Sequence, residues 1–77
     1  MDLFDARVAW MTGNSDEVLA WWGGLSPADK REIEENLRLA EEDFQDLLDS
    51  DPAATSWREG ELLHQQRLVL EQLKEAG

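Results

Sequence analysis

The sequence lacks several features on which common classes of small protein depend. It contains no cysteine, so disulfides, thiolate metal sites and cysteine nucleophiles are excluded. It has one histidine, His64, so carboxylates would have to supply most ligands of any metal, and a nucleophile would have a single imidazole base. We therefore expect a protein that is not an enzyme and that binds neither a cofactor nor a metal.

Long apolar runs and a basic N-terminus are also missing. No run approaches the ~20 apolar residues of a membrane-spanning helix, and the first residues, MDLFDARV, are acidic where a secretory signal would be basic. The expectation is a cytoplasmic protein without a membrane partner. A length of 77 residues suits one domain, predicted to span 1–77.

Basic residues are few, since seven Lys and Arg stand against 18 Asp and Glu, and the formal net charge is −11. This balance argues against direct binding of nucleic acid, because phosphate recognition needs clustered Lys and Arg. The charge is concentrated in residues 32–51, which hold nine acids and the single base Arg38. Such a distribution suits a basic protein surface as the partner.

The pattern of apolar residues predicts an all-α fold. No segment shows the alternation of a strand, and Val and Ile together number only four. We expect a small three- to four-helix bundle. Two short N-terminal helices, about 2–12 and 16–23, would pack on an antiparallel hairpin of long helices, about 27–49 and 57–76.

Capping residues mark the ends of these helices. Gly13 is typical of the position just after a helix, and Ser15 can cap the helix that follows. Ser26 precedes a proline and is a good N-cap for the third helix. Ser56, followed three residues later by Glu59, predicts a capping box at the start of the last helix.

Spacings of three and four residues predict which side chains face the core. The predicted inward positions are Phe4, Val8 and Met11 in the first helix, Ile33, Leu37, Ala40, Phe44 and Leu47 in the third, and Leu63, Gln66, Leu70 and Leu73 in the last. Trp57 and Leu68 lie away from the last stripe, so they either receive the N-terminal helices, which we favour, or contact a partner. Gly60 lies inside the last helix, where it costs roughly 1 kcal/mol relative to Ala.

The face of the third helix opposite this stripe carries a row of acids. At about 100° per residue, positions 35, 39, 42, 46 and 49 follow one another along the helix, and four of the five are acidic. Like charges at this spacing destabilise a helix by a few tenths of a kcal/mol each. The candidate partner-binding residues are Glu32, Glu35, Leu39, Glu42, Asp43, Asp46 and Asp49, with Trp21 and Trp22 as candidate apolar anchors.

The favoured hypothesis is a small acidic inhibitor that occludes the basic nucleic-acid-binding surface of a target protein by partial mimicry of a nucleic-acid strand. Two alternatives stay open for the same acids: a solvated helix face, and a surface that pairs with a basic partner without mimicry. A hypothesis from a different class is a structural, assembly or adaptor module that self-associates through its helices, with a homodimer as the product. The spacing on both long helices favours this last alternative.

Glu61 and His64 have the E-x-x-H spacing of di-iron helices, but the motif occurs once and points away from the predicted core, which favours a solvated pair. In size, charge and helix content the chain resembles several classes of small inhibitory protein. They include phage anti-defence proteins such as anti-CRISPRs, uracil-DNA glycosylase inhibitors and other DNA mimics, and small antitoxins. No shared motif accompanies this resemblance, so it assigns no role to any residue.

Overall fold

Helices make up most of the computed structural model, which describes residues 1–76. The elements are α1 (Leu3–Met11), α2 (Ser15–Gly23), α3 (Pro27–Ser50), a short 3-10 turn (Pro52–Ala54) and α4 (Trp57–Ala76). No strand occurs in the described residues. The predicted all-α fold is confirmed, and each helix ends within one residue of its expected position.

Side-chain caps begin α1 and α3. The Oδ1 atom of Asp2 accepts a hydrogen bond from the backbone N–H of Asp5 at 2.8 Å, and Ser26 Oγ accepts one from the N–H of Asp29 at 3.1 Å. Each bond satisfies a donor that the first turn of a helix leaves free. The predicted cap at Ser26 is therefore confirmed, and a cap that the sequence analysis did not identify starts the first helix.

Two other predicted caps differ from the structure. Ser15 is the first residue of α2, and Asn14 holds the N-cap position without a side-chain hydrogen bond. At α4, Ser56 Oγ accepts from the N–H of Arg58 at 3.2 Å instead of from Glu59. The side chain of an N-cap serine can accept from the backbone N–H two or three residues later. The sequence therefore predicts where the helix starts better than it predicts which hydrogen bond the serine makes.

The turn after α1 depends on glycine. Gly13 has a φ of 90°, a left-handed conformation that residues with a Cβ rarely adopt. The N–H of Asn14 donates to the carbonyl of Ala9 at 2.8 Å, and the N–H of Gly13 donates to that of Trp10 at 3.4 Å. These two bonds form a Schellman motif, which ends α1 and reverses the chain into α2.

The core lies where the short helices meet the hairpin. The buried residues are Leu3, Ala6, Val18, Trp22, Leu37, Val69, Leu70 and Leu73. The inward face of α1 is therefore wrong in the sequence analysis, since Phe4, Val8 and Met11 are between 43% and 59% exposed. Leu3 and Ala6 begin a second stripe with the same spacing, and the small Ala6 lets α1 approach its neighbours closely.

The two long helices form the predicted antiparallel hairpin. Glu34 of α3 contacts Lys74 of α4, Glu41 contacts Arg67, and Phe44 lies against Gly60, so numbers rise on one helix as they fall on the other. The predicted stripes face each other, but burial decreases towards the connection. Leu37 is buried, Ile33, Ala40 and Phe44 are half-buried, and Leu47 is exposed.

Trp57 does not receive the N-terminal helices, because its side chain is 82% exposed. It is the first residue of α4 and lies near the hairpin connection, whereas the buried residues of α4 are Val69, Leu70 and Leu73, nearer its other end. Leu68 is also exposed, beside Trp10 and Met11 of α1, with which it lines a shallow depression. The expectation for Trp57 is therefore wrong.

Candidate functional site

The outer row of α3 (Glu35, Leu39, Glu42, Asp46 and Asp49) lies on a face that is open to solvent. All five side chains are exposed, and so are the neighbouring candidates Glu32 and Asp43. The row is continuous because α3 runs without a break from Pro27 to Ser50. The structure thus brings the seven candidate residues of α3 onto one helix surface, while their role in binding stays a prediction.

Arg38 neutralises part of this row. Its guanidinium forms ion pairs with Glu35, one turn before it, and with Glu42, one turn after it. Hydrogen bonding to Arg38 lowers the pKa of Glu35 below its ordinary value of 4.5, and the same bond raises the pKa of Arg38. The N-terminal half of the row is therefore less negative than its sequence indicates.

The C-terminal half of the same surface carries its charge without compensation. Asp43, Asp46 and Asp49 form no ion pair with any described residue, although Gln45 Nε2 donates a hydrogen bond to Asp49 Oδ1 at 3.0 Å. They lie in the last two turns of α3, and no basic residue occupies the last turn. Asp49 lies at the negative end of the helix dipole, and the three acids follow one another at i,i+3, so they raise the local negative potential and destabilise the helix.

Two further acids of α3 hold the hairpin together. Glu41 accepts two hydrogen bonds from Arg67, one of them from Nε at 3.1 Å, and Glu34 accepts one from Lys74 Nζ at 2.7 Å. The carboxylate of Glu41 raises the pKa of Arg67. Neither pair is among the contacts predicted from the sequence. An antiparallel alignment of 34 with 74 and of 41 with 67 would have indicated them.

An apolar groove opens beside the acidic surface, between α3 and the first half of α4. This hairpin groove has a volume of about 420 Å³, and its lining residues are Phe4, Ala40, Asp43, Phe44, Leu47, Glu59, Leu62, Leu63 and Gln66. Asp43 and Glu59 are its two acids, and neither forms an ion pair with a described residue. The groove therefore combines apolar walls with uncompensated negative charge.

Gly60 allows the floor of the groove to form. A Cβ atom at this position would lie 3.0 Å from Cζ of Phe44 and 3.2 Å from Cε1, closer than ordinary van der Waals contact. The aromatic ring therefore packs directly on the backbone of α4. This contact gives a structural reason for a glycine inside a helix, where propensity alone makes glycine destabilising.

The two adjacent tryptophans of α2 have different environments. Trp22 is buried in the core, with Lys30 Nζ 5.2 Å from its ring centroid, so its assignment as an exposed apolar anchor is wrong. Trp21 is half-buried and stays a candidate anchor. Neighbouring residues on a helix differ by about 100° in direction, so a helix that packs one of them inward turns the other sideways.

Glu61 and His64 are both exposed on α4. Among residues 1–76, no three His, Asp or Glu side chains come close enough together to hold a metal ion. Within the same residues, no helix combines the length and the apolar character that crossing a membrane requires.

Comparisons of the chain with protein-family models, with curated proteins and with solved structures find no match.

Proposed function

We propose that this protein is a stoichiometric inhibitor that covers the basic, nucleic-acid-binding surface of a target protein or complex. The observation that supports this proposal is the surface of Asp43, Asp46 and Asp49. These exposed carboxylates form no ion pair with a described residue, and Asp49 lies in the last turn of α3, where negative charge is least favourable. A helix selected only for stability would carry Lys or Arg there, so we interpret the acids as a contact surface.

The spacing of the acids suits a surface that normally binds phosphates. Residues three or four apart on a helix are separated by about 4.5–6 Å along its axis, whereas each strand of DNA presents one phosphate per ~3.4 Å. Lys and Arg side chains are long and flexible enough to accommodate this difference. A basic groove could therefore bind α3 in place of a nucleic-acid strand, as inhibitors of the anti-defence or antitoxin kind would require.

Apolar contacts beside the acids would slow dissociation of the complex. Opposite charges accelerate association and make it sensitive to salt, but exposed ion pairs contribute little net affinity. Leu39 lies within the outer row and is 45% exposed, so a partner that covers the row would also bury an apolar side chain. Such a buried residue, surrounded by charged contacts, has the arrangement of an interface hot spot.

Partner capture tests the proposal. The tagged protein is incubated with a cell lysate at low salt and at ~0.5 M salt, which screens electrostatic attraction beyond a few Å. We compare it with a double-lysine variant, Asp46→Lys with Asp49→Lys. A matched charge control, Glu61→Lys with Glu75→Lys, makes the same charge change at two exposed acids of α4 that form no ion pair with a described residue.

We expect the parent protein and the charge control to retain a nucleic-acid-binding protein, the high salt to release it, and the double-lysine variant not to bind it. Equal capture by all three proteins would contradict the proposal, because the outer row would then not be the interface.

A structural or assembly module is the second candidate, favoured by the exposed apolar side chains of Trp57, Leu68 and Met11. Self-association through these residues would give a mass that rises with concentration and that Trp57→Gln or Leu68→Gln lowers. A constant monomer mass up to high micromolar concentration would exclude a homodimer.

A further inference from the structure

The hairpin groove exists because the short helices cover only one end of the hairpin. The buried residues of α4 lie at 69, 70 and 73, and the buried residue of α3 is Leu37. Beyond these positions the two long helices face each other, and α1 reaches the groove between them through Phe4. Leu47 and Phe4 therefore leave 39% and 47% of their surface exposed at the edge of the groove.

The negative charge of the groove favours an occupant with positive charge. Asp43 and Glu59 lie on opposite long helices, so an occupant would pass between two carboxylates that have no ion-pair partner in residues 1–76. A second copy of this chain would bring a net charge of −11 towards these carboxylates. Nucleic acid would do the same with its phosphates. A polypeptide with Lys or Arg beside apolar residues is the complementary occupant.

The length of the groove selects the form of the occupant. Its wall on α3 runs from Ala40 to Leu47, which is about 10 Å, or two turns of helix, at ~1.5 Å per residue. A short amphipathic helix presents apolar side chains at i, i+3 or i+4, and i+7, which matches a groove of this length. Basic residues next to that stripe would lie within reach of the two groove acids.

We propose that the hairpin groove binds a short, basic, amphipathic helix of the target protein. The target would thus contact two adjacent surfaces, with its nucleic-acid-binding site on the outer row and a helix in the groove. The inference rests on the proposed function for the source of the helix. The affinity of the groove for such a helix is a separate property that can be measured with a synthetic peptide.

The test uses a labelled helical peptide with leucine on one face and lysine on the other. We expect saturable binding, with changes in the amide NMR signals of Gly60, Leu62 and Leu63. A peptide with glutamate in place of lysine should not bind, because its charge repels the groove acids. Leu47→Gln should weaken binding of the lysine peptide about tenfold, the effect of losing one well-buried leucine contact.

Leu48→Gln is the matched control, because both residues are exposed leucines of α3, at 37% and 39%, and only Leu47 lines the groove. It should leave peptide affinity within about twofold of the parent, as expected for a residue outside the interface. A second pair of variants tests the effect of the groove charges separately from that of the apolar contacts. Asp43→Asn with Glu59→Gln should weaken peptide binding more than Asp46→Asn with Asp49→Asn does.

Three results would overturn the inference. They are absence of peptide binding at millimolar concentration, equal effects of Leu47→Gln and Leu48→Gln, and signal changes confined to the outer row. None of them bears on the proposed function, which would fail if the double-lysine variant captured the target as well as the parent does. If the double-lysine variant lost target capture but still bound the peptide, the target's main contact would lie on the outer row and the groove would be a second site.

Discussion

At the scale of single residues, the structure explains a glycine that is unfavourable for its helix. Gly60 destabilises the helix by roughly 1 kcal/mol relative to Ala, but it allows the ring of Phe44 to pack on the backbone of α4. Phe44 is half-buried and borders the open groove, so its ring has room to move. Gly60 thus determines the shape of the groove more than the stability of the fold.

Gly60→Ala should therefore stabilise the protein by less than the ~1 kcal/mol that propensity alone predicts, because the ring must shift to admit the methyl group. In a Phe44→Leu background, which lacks the ring, the same substitution should give the larger gain. Urea unfolding of the four proteins measures both values. Destabilisation by Gly60→Ala in the parent, beyond ~1 kcal/mol, would show that the ring cannot move.

Arg38 makes the stability of the protein depend on pH through its ion pair with Glu35. Because the ion pair with Arg38 lowers the pKa of Glu35, its stabilising effect is fully present above pH 4.5 and is lost as the pH falls through the lowered value. Arg38→Gln should return the pKa of Glu35 to about 4.5. NMR titration of the carboxyl carbon measures it.

Glu42→Gln is the matched control, because it removes the other partner of Arg38 and leaves the pair with Glu35 in place. The pKa of Glu35 should stay below 4.5 in this variant. An unchanged pKa of Glu35 in Arg38→Gln would show that a different group stabilises its charge.

At the scale of elements, α3 divides its acids between structure and surface. Glu34 and Glu41 bind Lys74 and Arg67 of α4 and fix the hairpin, whereas the acids of the last two turns bind no basic residue in the described chain. Those acids repel one another and oppose the helix dipole. A protein that keeps such charges gives up stability at the surface that we assign to partner binding.

The double-lysine variant should for this reason be more stable than the parent, by roughly 0.5–1 kcal/mol, at low salt. Asp46→Asn with Asp49→Asn should gain part of this amount, because it removes the repulsion without adding favourable charge. Thermal unfolding at low and high salt measures the gain, which screening should reduce. A loss of stability in the double-lysine variant would mean that the two aspartates support the fold.

The sequence predicts these elements well because their ends depend on local chemistry. Ser26 and Gly13 act on the neighbouring turn alone, and they place the ends of α3 and α1 correctly. The inward face of α1 depends on tertiary packing, since the stripes that begin at Leu3 and Phe4 have equivalent spacing. The groove could not be predicted, because it depends on how far α1 and α2 extend along the hairpin.

At the scale of the whole molecule, charge and apolar surface lie side by side. The uncompensated acids of α3 and the hairpin groove occupy the end of the hairpin that the short helices leave uncovered. The fold therefore has one end that supplies the core and another that exposes the surfaces to which we assign partner binding. A net charge of −11 favours the approach of basic surfaces and opposes the approach of a second copy of the chain.

The most direct test of the central claim is competition for a captured target between this protein and nucleic acid. Fluorescence anisotropy of labelled DNA or RNA on the target is followed as the protein is added. We predict that the parent and the charge control displace the nucleic acid at one equivalent, and that the double-lysine variant does not. A ternary complex in which target, nucleic acid and parent protein remain bound together would contradict occlusion.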